Sequence, residues 1–305
     1  MRHLRYFKYF DQVVRLGSIR KAAEGLNVTP SALNRRIIDM EEELGAPLFE
    51  RQARGMRLTA AGEVFARFVR SQFADAERMR SQIQDLKGMR SGNVRIACSQ
   101  ALAHGFLPGA IGKFRNLYPR VTFQVLVSDH EHAMKALAGS EVDIVLVFRP
   151  PYLPNFKPLL IVEQRLMVLM SSGHPLTSHD IVRLSDCRLY PLALPEASIG
   201  GRQLLDEVTA RAGLPLAPVI ESNSFEFLRG CVASGEAISF QIQVGALADY
   251  LSGSNVVARP LDPRDVPGSS LVLGQLRERN LAVAAAVFCE HIKSALSEIE
   301  HHCRL

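Results

Sequence analysis

Ser18-Ile19-Arg20-Lys21-Ala22-Ala23-Glu24-Gly25-Leu26-Asn27-Val28-Thr29-Pro30-Ser31-Ala32-Leu33-Asn34-Arg35-Arg36-Ile37 is the stretch that decides how this chain is read. Ser18 is a hydroxyl N-cap, and Ile19, Ala22, Ala23 and Leu26 recur as the apolar face of a short helix. Asn27-Val28 makes a tight turn. Thr29-Pro30 then supplies a second hydroxyl cap and a proline at the first helical position, where its missing N–H costs nothing. The helix that follows runs to about Leu44. Its expected buried side is Ala32 or Leu33, Ile37, Met40 and Leu44, and Gly45 is its stop. Two short helices joined by a short turn form a helix-turn-helix. In such a pair the second helix enters the major groove and its N-terminal side chains reach base edges. Ser31, Asn34 and Arg35 lie towards that end with Arg36 beside them, and short polar side chains and arginine are what base recognition requires. Thr29 caps the helix within reach of a phosphate, and Arg20 on the preceding helix completes the group.

Working outward, Leu4, Phe7, Phe10, Val13 and Val14 recur at helical spacing before Gly17 breaks the pattern. Downstream, Phe49-Glu50-Arg51 and Arg54-Gly55-Met56-Arg57-Leu58 read as two short extended pieces around a basic turn. Such a wing offers Arg51, Arg54 and Arg57 to phosphates or a narrow minor groove. From Ala60 to about Lys87 the pattern is one long helix. Phe65, Val69, Gln72, Ala76, Met79, Ile83 and Leu86 step alternately by four and three, a weak heptad seam that predicts a dimer helix. Gly88 to Gly92 reads as a hinge.

From Asn93 onward strands alternate with helices. Strands are expected over Val94–Cys98, Val121–Val127, Ile144–Phe148, Arg165–Met170, Leu189–Leu194, Val219–Glu221, Ile238–Ile242 and Ser270–Gly274. Helices are expected around Phe106 to Phe114, over Ala133–Ala138, Arg202–Ala212 and Phe225–Ala233, and from about Leu281 to Ile299. This predicts an α/β fold with largely parallel sheets, in which ligands sit beyond the carboxyl ends of the strands. The turn Cys98-Ser99-Gln100 offers hydroxyl, amide and backbone N–H groups at an expected helix start, an anion-binding geometry. Ser128 and His130 end the second strand and Arg149 ends the third. Ser222, Asn223 and Ser224 open one later helix, and Gly200, Gly201 and Arg202 open another. Together these residues point to a small, carboxylate-bearing metabolite.

The chain has 305 residues, 47% of them hydrophobic and 22% charged, which excludes a disordered or fibrous protein. The apolar run from Leu281 to Cys289 is too short for a membrane span, and the N-terminus has no apolar core of an export signal, so the cytoplasm is the expected compartment. Residues 1–92 carry 17 Lys/Arg and 11 Asp/Glu, whereas the remainder carries 19 and 20. The basic excess therefore lies wholly in the first third, and so does the expected polyanion partner. Cys98, Cys187, Cys231, Cys289 and Cys303 are scattered and read as reduced thiols. Neither His130-Glu131-His132 nor His301-His302-Cys303 has the spacing of a zinc or iron site, so no metal and no catalytic residue is expected. GxGxxG, GxxxxGK[ST] and GxSxG are all absent, which argues against the alternative of an α/β-scaffold enzyme acting on a small metabolite. A pure solute-binding protein would need an export signal and would not need the first 90 residues.

The run from Ala22 to Ile37, followed by Glu41-Glu42-Glu43-Leu44-Gly45-Ala46-Pro47-Leu48-Phe49-Glu50-Arg51 and Leu58-Thr59-Ala60-Ala61-Gly62, resembles the helix-turn-helix signature of the LysR-type transcriptional regulators. Ser171-Ser172-Gly173-His174-Pro175-Leu176 and Glu221-Ser222-Asn223-Ser224, with Leu228 and Val232-Ala233-Ser234-Gly235, extend the likeness less tightly. The resemblance implies a winged helix-turn-helix at residues 1–59 and a linker and dimerisation helix at 60–90. It implies an effector domain at 91–305 resembling a type 2 periplasmic binding protein, with lobe I at about 91–163 and 267–305 and lobe II at about 164–266. It implies promoter DNA as partner, self-association as a homodimer or a dimer of dimers, and a small co-inducer bound between the lobes. RNA polymerase is a candidate further partner, and no cofactor or membrane is expected. Pro30 and Asn34 stand where many members carry Gln and Ser, so the family's base preference does not carry over. Gln241-Ile242-Gln243-Val244 is more polar than the turn often found there.

Overall fold

The computed structural model describes residues 2–52, 55–86, 91–213, 215–246, 255–277 and 279–302. The chain divides into two compact units near residue 83. In the first, α1 (Arg2–Leu16), α2 (Ile19–Gly25) and α3 (Pro30–Leu44) are followed by β1 (Phe49–Gln52), β2 (Gly55–Leu58) and α4 (Ala60–Leu86). The caps lie where the side chains demand them. Ser18 Oγ accepts from Lys21 N, Thr29 Oγ1 accepts from Ala32 N at 3.2 Å, and Gly45 ends α3 in the left-handed region at φ 66°. Phe10, Val13, Ala22, Ala23, Leu33, Ile37, Leu48 and Val69 form the core. Leu44, expected inside, is 49% exposed, because the buried stripe of α3 ends with Met40.

Two expectations for α4 change. Phe65 and Val69 do not belong to a free seam: Val69 is buried in this core and the Phe65 ring lies 4.8 Å from that of Phe10. Among the described side chains, the large apolar ones that α4 leaves exposed are Val64, Phe68, Met79 and Ile83. The short strands β1 and β2 pair antiparallel, with Phe49 opposite Leu58 and Glu50 opposite Arg57.

The second unit holds β3 (Gly92–Ser99), α5 (Phe106–Leu117), β4 (Val121–Ser128), α6 (His130–Ala138), β5 (Ile144–Phe148), β6 (Phe156–Gln164) and β7 (Leu166–Ser171). It continues with α7 (Leu184–Cys187), β8 (Ala193–Pro195), α8 (Gly200–Ala212), β9 (Ile220–Ser222), α9 (Phe225–Ala233), β10 (Ser239–Ile242), β11 (Val256–Pro260), β12 (Ser269–Leu276) and α10 (Val283–His302). One sheet has the order β4-β3-β5-β12-β6; the other has the order β10-β7-β11, with β8 and β9 paired separately.

The expectation of largely parallel sheets is corrected. β3, β4 and β5 are parallel, but β12 runs antiparallel to β5 and β6, and β7 runs antiparallel to both its neighbours. The reason is the connectivity. β6 leads straight into β7 through Arg165, and β12 returns from the second sheet to the first, so two chain passages link the lobes. Buried Gln164 fastens one passage, its Oε1 accepting from Val244 N at 2.9 Å. β6 went unpredicted because Pro158 interrupts it, which an edge strand tolerates. No helix among the described residues is long and apolar enough to cross a membrane.

Candidate nucleic-acid interface and ligand cleft

On α3 the buried residues are Leu33, Ile37 and Met40. At 3.6 residues per turn, Ser31 and Arg35 project nearly opposite that stripe, and both are exposed. Arg35 has no ion pair among the described residues. Asn34 lies on the flank of this face and is half-buried. Ile38, 39% exposed and absent from the expected contacts, shares the outward face; an exposed isoleucine beside two polar groups is the kind of apolar contact a thymine methyl accepts. Arg36 points elsewhere: it pairs with Asp39 at 3.2 Å and sits 5.3 Å from the Tyr6 ring, turned towards α1. The Thr29 hydroxyl lies 3.2 Å from Ser31 Oγ. Arg20 is exposed, 3.5 Å from Glu24 on the same helix.

In the wing, Arg57 is exposed on β2. Arg51 lies on β1, with its side chain outside the described residues, as is Arg54 entirely. The wing is fixed by contacts to α3 and to the turn after α1. Glu41 Oε1 accepts from Leu48 N at 2.7 Å and Phe49 N at 3.2 Å, tying the helix that presents Arg35 to the strand that starts the wing. Gly17 O accepts from Met56 N at 2.8 Å. Gly55, at φ 128°, passes so close that a Cβ there would stand 2.5 Å from Gly17 O. Thr59 donates to Pro47 O at 2.6 Å and accepts from Gly62 N at 2.9 Å, which starts α4.

In the second unit a cavity of about 30 Å³ lies between the two sheets. Ser99, Gln100, Ser128, His130 and Gly200 line it, as sequence reading placed them together. Arg149, Arg202, Asn223 and Ser224 do not line it. Arg149 is held by both carboxylate oxygens of Glu207, at 2.8 and 2.9 Å. Arg202 donates to Asp206 and Glu221, each at 2.8 Å, and to Pro195 O. Ser224 Oγ caps α9 by accepting from Phe227 N, and Asn223 is exposed. The expected helix start at Ser99 is a three-residue 3-10 turn, too short to gather a dipole, and Ser99 Oγ instead accepts from Phe148 N at 3.0 Å.

The lobes meet closely around the cavity. Gln100 Oε1 accepts from Phe225 N at 3.2 Å across it. A Cβ on Gly200 would stand 2.9 Å from His130 Nδ1, and one on Gly245 would stand 2.6 Å from Ala101 O. His130 is the first residue of α6 and only 5% exposed, with no partner at Nδ1. Burial pushes its imidazole below the ordinary value, with Arg149 adding to the shift and Asp129 and Glu131 opposing it. Gln241, also buried, lines the cavity with Oε1 unpartnered. Its signal was the polar break in an apolar strand. Burial holds the Cys98, Cys187 and Cys289 thiols up at about 12, so they stay protonated.

A winged helix-turn-helix followed by a long helix and two α/β lobes facing a cleft defines a ligand-responsive DNA-binding regulator. A family model described as bacterial regulatory helix-turn-helix protein, lysR family, matches residues 4–63, and one described as LysR substrate binding domain matches residues 87–297. The chain belongs to the LysR family of transcriptional regulators; it is not an enzyme. The HTH-type transcriptional activator CmpR of Synechocystis sp. is 26% identical over 294 residues, covering 95% of this chain and 94% of CmpR. A full-length OxyR variant from Pseudomonas aeruginosa shares the fold with a TM-score of 0.73 at 19% identity, covering 96% of this chain and 93% of that one. CbnR, solved in complex with its target DNA, does so at 0.66 and 19%, covering 96% and 99%.

Proposed function

We propose that α3 and the wing place Ser31, Asn34 and Arg35 in the major groove and Arg57, with Arg51 and Arg54, along the phosphates, within a DNA-binding segment of residues 1–59. The outward Arg35 on a capped helix carries this reading: a guanidinium without a carboxylate partner among the described residues is free to engage a guanine edge or phosphate. Thr29 and Arg20 are secondary contacts, and the engagement of Arg36 with Asp39 and Tyr6 assigns it a structural part. Two copies associate through the exposed side of α4, because Val64, Phe68, Met79 and Ile83 are otherwise left in water. CbnR, a relative in fold, has been solved with target DNA.

The effector binds between the lobes, at Ser99, Gln100, Ser128, His130, Gly200 and Gln241. It acts by favouring one lobe arrangement, which requires tighter binding to that arrangement than to the other. The carboxylate class expected for it no longer rests on Arg149 and Arg202, both held by acidic partners.

Arg35→Ala, tested by fluorescence anisotropy on duplexes selected from a random library by the wild-type chain, is expected to lose about 1–3 kcal/mol of binding with an unchanged melting temperature. Unchanged affinity refutes the placement.

A further inference from the structure

Among the described residues the ligand cleft has no free cation. Of the side chains that line it, only Asp129 and His130 are titratable, and Asp129 Oδ1 is already committed to His132 N at 2.7 Å. The nearby arginines are ion-paired, Arg149 through Nη2 with Glu207 and Arg202 with Asp206 and Glu221, although Arg149 Nη1 is buried without a partner. Two features nevertheless favour negative charge there. The helix α8, 13 residues long, begins at the cavity with Ile199 in the N-cap position and no side-chain cap, so its first turn presents backbone N–H groups of Gly200 and Gly201 at the positive end of the helix. Against that turn stands the His130 imidazole, in a residue only 5% exposed, whose Nδ1 has no partner.

Resting on the reading that the cleft holds the effector, we propose that the effector is a compact anion of the monocarboxylate class and that its entry protonates His130. Without ligand, His130 stays neutral. Charging it would set a cation in a buried site, near Arg149 and against the positive end of α8, and Asp129 and Glu131 do not outweigh this. A carboxylate against the first turn of α8 reverses the balance. It accepts from the glycine N–H groups and supplies the counter-charge that His130 lacks, so a proton passes from solvent to the imidazole. No covalent bond forms. Gln241 Oε1, a buried acceptor without a partner, is left for a donor elsewhere on the effector. The cavity is small, about 30 Å³, and an acid entering it moves the lobes apart. Parting them releases the Phe225 N to Gln100 Oε1 bond.

The sign of the pH dependence follows. Between the imidazole's pKa in the free protein and its higher value in the complex, anion affinity rises up to about tenfold for each unit the pH falls. Below the free value the dependence flattens.

The test uses the full chain with 13Cε1-labelled histidine and 15N-labelled glycine, followed by NMR across neutral pH, with acetate as probe and acetamide as its uncharged isostere. His130→Asn identifies the His130 signal and keeps an amide near Nδ1 that cannot be protonated. Gly200→Ala, whose methyl meets Nδ1, is the second variant. Acetate is expected to shift the Gly200 and Gly201 amides and move His130 to the imidazolium form, with affinity rising as pH falls. Acetamide is expected to do neither. His130→Asn is expected to lose the pH dependence, and Gly200→Ala to lose the acetate response. Glycine shifts with a neutral His130 overturn the proton uptake and leave the cleft reading standing. An equal response to acetamide, or none to acetate at these groups, overturns the anion class. An acetate response confined to another part of the chain overturns the cleft reading as well.

Discussion

Glu41→Ala is a stringent test of how the DNA-binding unit is held in register. One carboxylate oxygen accepts from two backbone N–H groups, Leu48 at 2.7 Å and Phe49 at 3.2 Å. Both residues are buried, at 1% and 8% exposure, so water does not readily replace the lost acceptor. A hydrogen bond to a charged group contributes about 1.5–3 kcal/mol, and leaving a buried donor unsatisfied costs about 1–3 kcal/mol. The second contact is long, so the sum is put at roughly 2–4 kcal/mol. Glu41→Gln keeps an oxygen in place without its charge and is expected to cost about 1 kcal/mol. Hydrogen exchange of the peptide spanning residues 41–58, measured by mass spectrometry on the full chain, reads the effect where it arises. Faster exchange at Leu48 and Phe49 is expected in the alanine variant and an intermediate rate in the glutamine variant. DNA affinity should fall in the same order, because the wing would no longer be set against α3. Wild-type exchange in Glu41→Ala would refute the assignment of Glu41 as the tie between them.

Gly55→Ala places a methyl 2.5 Å from Gly17 O at a φ of 128°, and is expected to destabilise by roughly 1–3 kcal/mol or more, seen as a lower melting temperature; an unchanged melt would mean that the wing is free to move. A pH prediction comes from the second lobe, where Arg264, by side-chain hydrogen bonds, and Arg183, by its charge, hold Asp262 down at about 2 from an ordinary 3.8. A carboxyl whose pKa is lowered on folding adds stability that is complete above its unfolded value and drains away as pH falls towards the folded one. Asp262→Asn should therefore lose stability at neutral pH and flatten the acid limb of a melting series between those two values; a parallel limb counts against it.

The first unit was legible because its signals are local. The hydroxyl caps Ser18 and Thr29, Pro30 at the first helical position and Gly45 at the stop act over three or four residues, so α2 and α3 can be read from spacing alone. Long-range partners were not legible. Nothing near Arg36 announces Tyr6, nothing near Glu41 announces Leu48, and the pairing of Arg149 with Glu207 spans 58 residues. The strand ends that face the cleft were readable through Ser99 and Ser128, since strand carboxyl ends converge in such folds, whereas His130, expected to end the second strand, opens α6. The direction of β12 was hidden, because it depends on the chain crossing between lobes and not on its own residues. The arginines misled for one reason: a cation at a strand end or helix start looks free until the acid that neutralises it is found.

The long helix α4 shows the same gap between periodicity and partner, and it can be tested directly. The step of four and three from Phe65 to Leu86 treats one stripe as one interface, yet its first two members pack inside their own unit. Phe65 contacts Phe7 and Phe10, with ring centroids 5.9 and 4.8 Å away. Phe68, one turn on and 48% exposed, packs its inner side on Phe7 at 5.7 Å and Phe65 at 6.1 Å. Phe65→Ala removes a half-buried ring from an aromatic cluster and is expected to cost roughly 2–3 kcal/mol, below the range for a fully buried phenylalanine. Self-association would then weaken only as far as the unit unfolds. Phe68→Glu combined with Ile83→Glu changes the more exposed positions and is expected to lower the melt of a single chain less than Phe65→Ala does, while charge on the shared apolar side separates the copies. Sedimentation velocity on the two variants distinguishes the readings. A Phe68→Glu/Ile83→Glu chain that stays associated, together with a folded Phe65→Ala chain that falls apart, would restore the original heptad seam and remove the exposed stripe from the interface.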